Sequence, residues 1–289
     1  MKDSPYFESW FFKIVTKKQE IFFINPGIHY GNTSYAFIQL YETITNSNQF
    51  FVFPIEDFYY LKEPFELHIK NNIFTLSTVK LCLENKNYKC KGELYFSHVQ
   101  KKPFENTLLL REFPTLEPYF TTSYLTPYYK VFGTLWINRK KIYLEDASGS
   151  LKKEYGKKYP NHLLYFSSNT SKKEGKEKNN VYFLIYPSRF PFFQCHVQIG
   201  KESFQFSSSQ LSKVKFQKQD DTHFFVFFRK LGISCKCRIE LLNPNYFIFP
   251  NEMTNDFYWI SLHSKATIIL KKKKRTYKER FICGDFFHL

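Results

Sequence analysis

One carboxylate in this 289-residue sequence stands among cations and aromatic rings. Glu154 lies in the stretch Gly149–Tyr165, close to four lysines and two tyrosines: Lys152, Lys153, Lys157, Lys158, Tyr155 and Tyr159. The apolar run 163–166 follows directly after Pro160. A lone acid beside rings and a buried strand could carry acid chemistry, because burial keeps a carboxylic acid neutral. The same composition is typical of a charged loop between two strands, which is the simpler interpretation.

The lysines around Glu154 weigh against its use as a proton donor. Nearby ammonium groups favour the ionised carboxylate, which has no proton to give. Unless those lysines point away, the sequence favours an ion-paired Glu154 that orders the stretch.

A second acidic candidate lies in the first patterned segment, Tyr6–Val15. Alternate residues of a strand point to opposite faces, so Glu8 and Trp10 share one face and Phe7 takes the other. A carboxylate and an indole on one face could contact a ligand, or Glu8 could simply be solvated.

Bulk composition indicates a large β structure with an apolar core. Hydrophobic residues make up 43% and aromatic residues 20%, and rings are favoured on half-buried strands. Strand-length segments recur about every 8–12 residues between turn signals, which predicts an all-β barrel or sandwich. We divide the chain into two halves, 1–127 and 128–289, because residues 100–127 hold four prolines and little periodicity.

Two local patterns refine this picture. Asn25-Pro26-Gly27 is a strong turn signal and is predicted to end a strand at Ile24, which leaves Asn25 as a turn residue. In 233–241 apolar and polar residues alternate, so Cys235 and Cys237 are predicted to lie on the buried face of a strand. Core thiols are the favoured interpretation of the pair, since none of the six cysteines has zinc-ligand spacing. We therefore predict no metal and no cofactor.

The net charge of +16 suggests an anionic partner, yet its cations are mostly spread along the chain. The densest run, 271–275, is predicted to be a hairpin tip. No helix-turn-helix, zinc-finger or RRM signature accompanies the charge, so no specific nucleic acid is expected. Peripheral contact with an anionic membrane surface is compatible with it. The absence of a signal-peptide pattern and of any apolar run of ~20 residues predicts a cytoplasmic protein.

Seven segments in collinear order resemble the tocopherol cyclase family. They are Y-F-E-S-W-F-F-K at 6–13, F-I-N-P-G-I at 23–28, Y-A-F-I-Q at 35–39, F-V-F-P-I-E-D-F at 51–58, K-G-E-L-Y-F at 91–96, G-T-L-W-I-N at 133–138 and G-S-L-K-K-E-Y-G-K-K-Y-P at 149–160. Beyond about residue 170 the match fades to general β character. The resemblance implies a calycin-like fold of two lipocalin-type antiparallel β-barrel halves with few short helices.

The resemblance also implies ring closure of a prenylated hydroquinone to a chromanol. Such a reaction protonates an alkene and traps the tertiary cation with a phenol oxygen. It needs a proton donor in a dry pocket and rings that stabilise the cation. Glu154 stands at the family's aspartate position. Glu117 is a second candidate acid, in a segment where Phe120 replaces the family's histidine.

The remaining candidates are ligand contacts. Trp10, Tyr119, Tyr155 and Tyr159 could line the binding site, and His162 could substitute for the histidine replaced by Phe120. Two functions stay open at this point. One is a cyclase that acts on a prenylated aromatic, with Glu154, Glu117 or Glu8 as acid. The other is a lipocalin-like binder of a hydrophobic small molecule that kept the barrel and lost the chemistry.

Overall fold

The computed structural model describes residues 6–99, 120–157, 163–171, 179–186, 192–242, 245–248 and 257–288. It divides into two compact units, each built on one antiparallel sheet that curls into a nearly closed barrel. The predicted all-β class is therefore confirmed. Two short 3-10 helices, Ile55–Asp57 and Ser208–Gln210, occur in the described ranges.

The first barrel contains eleven strands. They are β1 (Tyr6–Val15), β2 (Ile21–Tyr30), β3 (Tyr35–Glu42), β4 (Ser47–Pro54), β5 (Phe58–Leu61), β6 (Glu66–Ile69), β7 (Asn72–Thr75), β8 (Thr78–Glu84), β9 (Lys89–Ser97), β10 (Phe120–Ile137) and β11 (Lys140–Gly156). Their order in the sheet is β4-β3-β2-β1-β11-β10-β9-β8-β7-β6-β5. The last two strands in sequence thus lie at the centre of the sheet, next to β1.

The second barrel contains the remaining eleven strands. They are β12 (Leu164–Ser168), β13 (Thr170–Ser171), β14 (Asn180–Tyr186), β15 (Phe192–Ile199), β16 (Glu202–Ser207), β17 (Lys213–Lys218), β18 (His223–Lys230), β19 (Ile233–Leu242), β20 (Asn245–Ile248), β21 (Phe257–Lys272) and β22 (Arg275–His288). The main order is β16-β15-β14-β12-β22-β21-β19-β18-β17, with β13 paired to β22 and β20 paired to β21. The basic run 271–275 forms the β21–β22 tip, as predicted.

Side chains alternate between the two faces of each strand, and those on the inward face fill the first barrel. Trp10, Phe12 and Ile14 point inward from β1 and pack with inward residues of the other strands, among them Phe22 and Ile24 of β2. The sheet curls so far that Asn85 Nδ2, in the β8–β9 turn, donates to Gln49 Oε1 of the edge strand β4 at 3.1 Å. The interior of this barrel is thus a packed core.

The second barrel is filled in the same way. Its core includes Phe183, Phe206, Phe228 and the strand β19 residues Cys235 and Cys237. Both thiols are buried and free, which confirms the predicted inward face of β19. Burial raises the pKa of Cys235 to about 12, so this thiol stays protonated.

The Asn25-Pro26-Gly27 sequence does not end a strand, so the predicted turn is wrong. β2 continues through it to Tyr30 and keeps antiparallel register with β3, with Asn25 opposite Gln39 and Gly27 opposite Phe37. Flanking strands on both sides outweigh the local turn preference. A Cβ on Gly27 would come within 2.4 Å of the Phe37 ring, so this glycine lets the ring lie flat on the strand.

From Gly149 to Gly156 the charged stretch is a strand and not the loop that was expected. β11 runs to Gly156 and pairs with β1 on one side and β10 on the other. The boundary expected after residue 127 falls inside β10, which pairs with β9 and β11 in the first sheet. The two compact units therefore divide after β11, because these pairings hold residues 128–156 in the first barrel.

No helix in the described residues is long and apolar enough to cross a membrane.

Gly149 provides a test of the central strand. A Cβ at this position would lie 2.2 Å from Tyr129 Cε2 and 2.7 Å from the carbonyl oxygen of Lys13, a backbone atom that cannot move aside. We expect Gly149→Ala to lower the free energy of unfolding by about 1–3 kcal/mol through overpacking. Urea unfolding followed by tryptophan fluorescence measures the change. Ser148→Ala, one residue away and half-buried, should change it by no more than about 0.5 kcal/mol, and equal losses would contradict the clash.

Candidate functional site

β11 distributes the residues of its charged stretch between two faces of the first sheet. Ser9 of β1 lies opposite Glu154, and Trp10 lies opposite Lys153. Since Trp10 points into the barrel, Lys153 and Tyr155 point inward, while Lys152 and Glu154 point outward. Of the acidic candidates predicted from the sequence, Glu8 and Glu154 therefore belong to two separate clusters.

The outward cluster is a set of buried polar side chains on five neighbouring strands, which we call the polar face. Its row through β10, β11 and β1 holds Thr122, Glu154 and Ser9, which are register partners. Asn25 and Gln39 are register partners on β2 and β3. The polar face consists of Ser9, Asn25, Gln39, Thr122, Lys152 and Glu154, all buried in the folded chain.

An ion pair occupies the β11 side of the polar face. Lys152 Nζ lies 2.6 Å from Glu154 Oε1, with the two side chains 5% and 6% exposed. Thr122 Oγ1 donates a hydrogen bond to the same carboxylate oxygen at 3.3 Å. Lys152 Nζ also lies 4.7 Å from the centre of the Phe11 ring. These contacts hold the Glu154 carboxylate in place on the polar face, where its oxygens accept charge-assisted hydrogen bonds.

The β1–β3 side of the polar face holds polar atoms without partners. Ser9 Oγ, both amide atoms of Asn25 and Gln39 Oε1 are buried and make no hydrogen bond. Gln39 is fixed from its other end, because Nε2 donates to Asn48 Oδ1 at 3.2 Å. Each unsatisfied buried group costs about 1–3 kcal/mol, so a set of them on one face calls for an explanation. A ligand with both donors and acceptors would satisfy them.

The inward cluster surrounds one ammonium group. Lys153 forms an ion pair with Glu8, and its Nζ lies 5.1 Å from the ring centre of Trp10, 5.3 Å from that of Tyr60 and 5.4 Å from that of Tyr155. Tyr6 Oη donates to Glu8 Oε2 at 3.4 Å, and burial together with the Glu8 charge raises the pKa of Tyr6. Lys153 itself occupies the space between these rings. The cluster is therefore a structural cation–π contact within the chain.

The structure thus brings together some of the predicted residues and separates others. Glu8, Trp10 and Tyr155 meet in the inward cluster, and Glu154 lies on the opposite face of the sheet. Glu117, Tyr119, Tyr159 and His162 lie outside the described residues.

Sequence reasoning missed the unpaired members of the polar face. Ser9, Asn25 and Gln39 stand in strands that are otherwise almost wholly apolar. A polar residue inside such a strand was the available signal. Within the described ranges, no three His, Cys, Asp or Glu side chains converge as metal ligands.

The Lys152–Glu154 pair makes a prediction about stability. Removing one partner leaves the other charge buried, so Glu154→Gln or Lys152→Met should each lower the free energy of unfolding by about 3–5 kcal/mol. The double variant removes both charges of the pair and should lose less than the sum of the two singles. Urea unfolding of all four proteins gives the coupling energy. Additive losses would show that the pair is not coupled in solution.

Comparisons with known proteins support the fold. No protein-family model matches the chain, and no curated protein matches it. A crystal structure from Nitrosomonas europaea, provisionally named AttH, aligns with a TM-score of 0.56 at 9% identity, over 99% of this chain and 92% of that one. Kievitone hydratase from Nectria haematococca aligns with a TM-score of 0.54 at 9% identity, over 99% of this chain and 89% of that one. At these identities the likeness concerns the fold alone, and the chain shares with both proteins a lipocalin-like double barrel.

Proposed function

We propose that the polar face binds an amphipathic small molecule with a hydroxylated aromatic ring at one end and an apolar tail at the other. The observation that carries this proposal is the group of unpaired buried atoms on Ser9, Asn25 and Gln39. A phenolic hydroxyl both donates and accepts hydrogen bonds, and the unpaired amide of Asn25 can likewise donate through its NH2 group and accept through its oxygen. A wholly apolar ligand would leave these atoms unsatisfied.

The same face offers apolar contacts for a tail. Phe11 and Phe23 are both buried, and their ring centres lie 5.1 Å apart. The Phe37 ring lies over Gly27, which is two residues from Asn25 along β2. Ligand sites combine a mostly apolar lining with a few placed polar groups, which is the composition found here. A prenylated hydroquinone has this chemistry, and the sequence resemblance to the tocopherol cyclase family favours that class.

Ring closure of the bound molecule is the second candidate function, because the buried carboxylate of Glu154 shares the face with the unpaired atoms. In this reaction the acid adds a proton to one alkene carbon. The phenol oxygen then bonds to the resulting tertiary cation and releases its own proton, so the product is an isomer of the substrate. A general acid must carry a proton before the reaction, and in this structure the Glu154 carboxylate lies in direct contact with the Lys152 ammonium group.

Asn25→Leu tests the binding function. The substitution replaces an unpaired buried amide by an apolar group of similar volume, so the free energy of unfolding should stay equal or rise. Affinity for a prenylated hydroquinone should fall by about tenfold or more, because hydrogen bonds to the ring hydroxyls are lost. Tryptophan fluorescence titration gives the affinity, and mass spectrometry of co-purified lipid identifies the natural ligand.

The control for this experiment is Asn32→Leu, which changes an exposed asparagine of the same barrel. It should leave affinity unchanged. An Asn25→Leu protein that binds as tightly as the original chain would refute the proposed site.

The catalytic candidate has its own test. If Glu154 is the acid, Glu154→Gln abolishes chromanol formation, and Lys152→Met changes its rate because the ammonium group in contact with the carboxylate is removed. Product is measured by chromatography with folded protein at saturating prenyl-hydroquinone. Bound ligand without product in the original chain and in Lys152→Met would exclude ring closure and leave the binding function in place.

A further inference from the structure

One end of the second barrel brings together three chain segments. Lys213 at the start of β17 is the register partner of Arg229 near the end of β18. Across the β18–β19 turn, Ile233 pairs with Lys272, and Lys273 N–H donates to the carbonyl of Gly232 at 3.2 Å. We call this end, made of segments 211–215, 229–234 and 271–276, the basic end.

The basic end carries cations and no acids of its own. Its three segments contain nine cationic residues: Lys213, Lys215, Arg229, Lys230, Lys271, Lys272, Lys273, Lys274 and Arg275. Lys272 pairs with Glu202 of the neighbouring β16 at 3.2 Å. The other eight make no ion pair with any residue that the structure describes. Like charges brought this close repel one another, so the end is complementary to an extended anionic partner.

Two fully exposed leucines stand within this field of charge. Leu211 is 93% exposed and Leu231 is 101% exposed, more than any other large apolar side chain in the described ranges. Each lies two residues from the Lys213–Arg229 pair. Leu211 also adopts a left-handed backbone conformation with φ 51°, which is unfavourable for leucine. The chain therefore holds leucines at loop tips where neither packing nor backbone preference requires them.

We propose that the basic end docks on a lipid bilayer rich in anionic headgroups. Leu211 and Leu231 enter the interface between headgroups and acyl chains, and the surrounding lysines contact lipid phosphates. Apolar side chains at the tip with cations around them combine the two terms that bind peripheral proteins to such surfaces. The proposal does not depend on the polar face, since no residue is shared.

A nucleic acid fits these observations less well. Single strands bind where bases stack on exposed rings, and leucine side chains offer no such platform. The outward rings on the neighbouring part of the sheet are occupied, because Lys236 Nζ lies 5.2 Å from the ring centre of Phe225 and 5.4 Å from that of Phe227. The cations alone are complementary to a nucleic acid and to an anionic bilayer alike, whereas the exposed Leu211 and Leu231 favour the bilayer.

Co-sedimentation with vesicles tests the proposal. The full chain should bind vesicles of phosphatidylcholine mixed with phosphatidylserine, bind those of phosphatidylcholine alone far more weakly, and lose affinity as salt concentration rises. The double variant Leu211→Ser/Leu231→Ser should bind the anionic vesicles about tenfold more weakly. Lys273→Glu/Lys274→Glu should weaken binding by at least about tenfold.

Matched controls lie on the first barrel. Val52→Ser/Tyr143→Ser removes two apolar side chains that are 61% and 62% exposed, and Lys86→Glu/Lys140→Glu reverses two exposed charges. Both should bind like the original chain. The proposal is overturned if the original chain fails to bind anionic vesicles, or if either control weakens binding as much as the matching test variant. It is also overturned if the leucine variant binds vesicles unchanged. Binding of labelled single-stranded DNA that exceeds vesicle binding and survives the leucine substitutions would instead establish a nucleic-acid surface.

Discussion

The alternation of side chains along β11 is the constraint on which both clusters of the first barrel depend. β1 and β10 hydrogen-bond to β11 on either side, so its residues cannot rotate away from the faces that the register assigns. Lys153 and Tyr155 must complete the barrel interior, and Lys152 and Glu154 must occupy the outward side. A slip of one residue would exchange the two sets and bury the wrong charges. Core packing and the polar face are thus fixed by the same hydrogen bonds.

The unpaired atoms of the polar face lower the stability of the folded chain. Unsatisfied amide and hydroxyl groups in a dry environment oppose folding, whereas apolar side chains at the same positions would not. The cost can be carried because the inward side of the same strands packs a continuous set of rings and aliphatic groups. A ligand that pairs with the free atoms recovers part of the cost on binding. The binding site proposed here would therefore discriminate in favour of molecules with polar groups, since a purely apolar molecule recovers nothing.

The sequence correctly predicted the features that depend on the side-chain pattern of a single strand. Period-two patterns predicted the strands, the inward thiols of β19 and the shared face of Glu8 and Trp10. It led to wrong predictions for the features that depend on which strands pair with one another. Asn25-Pro26-Gly27 has every local property of a turn, yet β1 and β3 hold it in register as a strand. The proline-rich region before residue 127 suggested a boundary, but β10 pairs with β9 and continues the same sheet. Ser9, Asn25 and Gln39 come together with Glu154 only through pairings that no single segment encodes.

The lysines that are close to Glu154 in the sequence do not all lie on its face of the folded strand. Four lysines within four residues suggested a diffuse positive field around this carboxylate. In the folded strand Lys153 lies on the opposite face, where Glu8 neutralises it, so it does not act on Glu154 through direct contact. Lys152 makes the close contact at 2.6 Å. The register of β11 thus separates lysines that the sequence places side by side. The proposed ring closure involves the Lys152–Glu154 contact, whereas the proposed binding rests on the unpaired atoms of Ser9, Asn25 and Gln39.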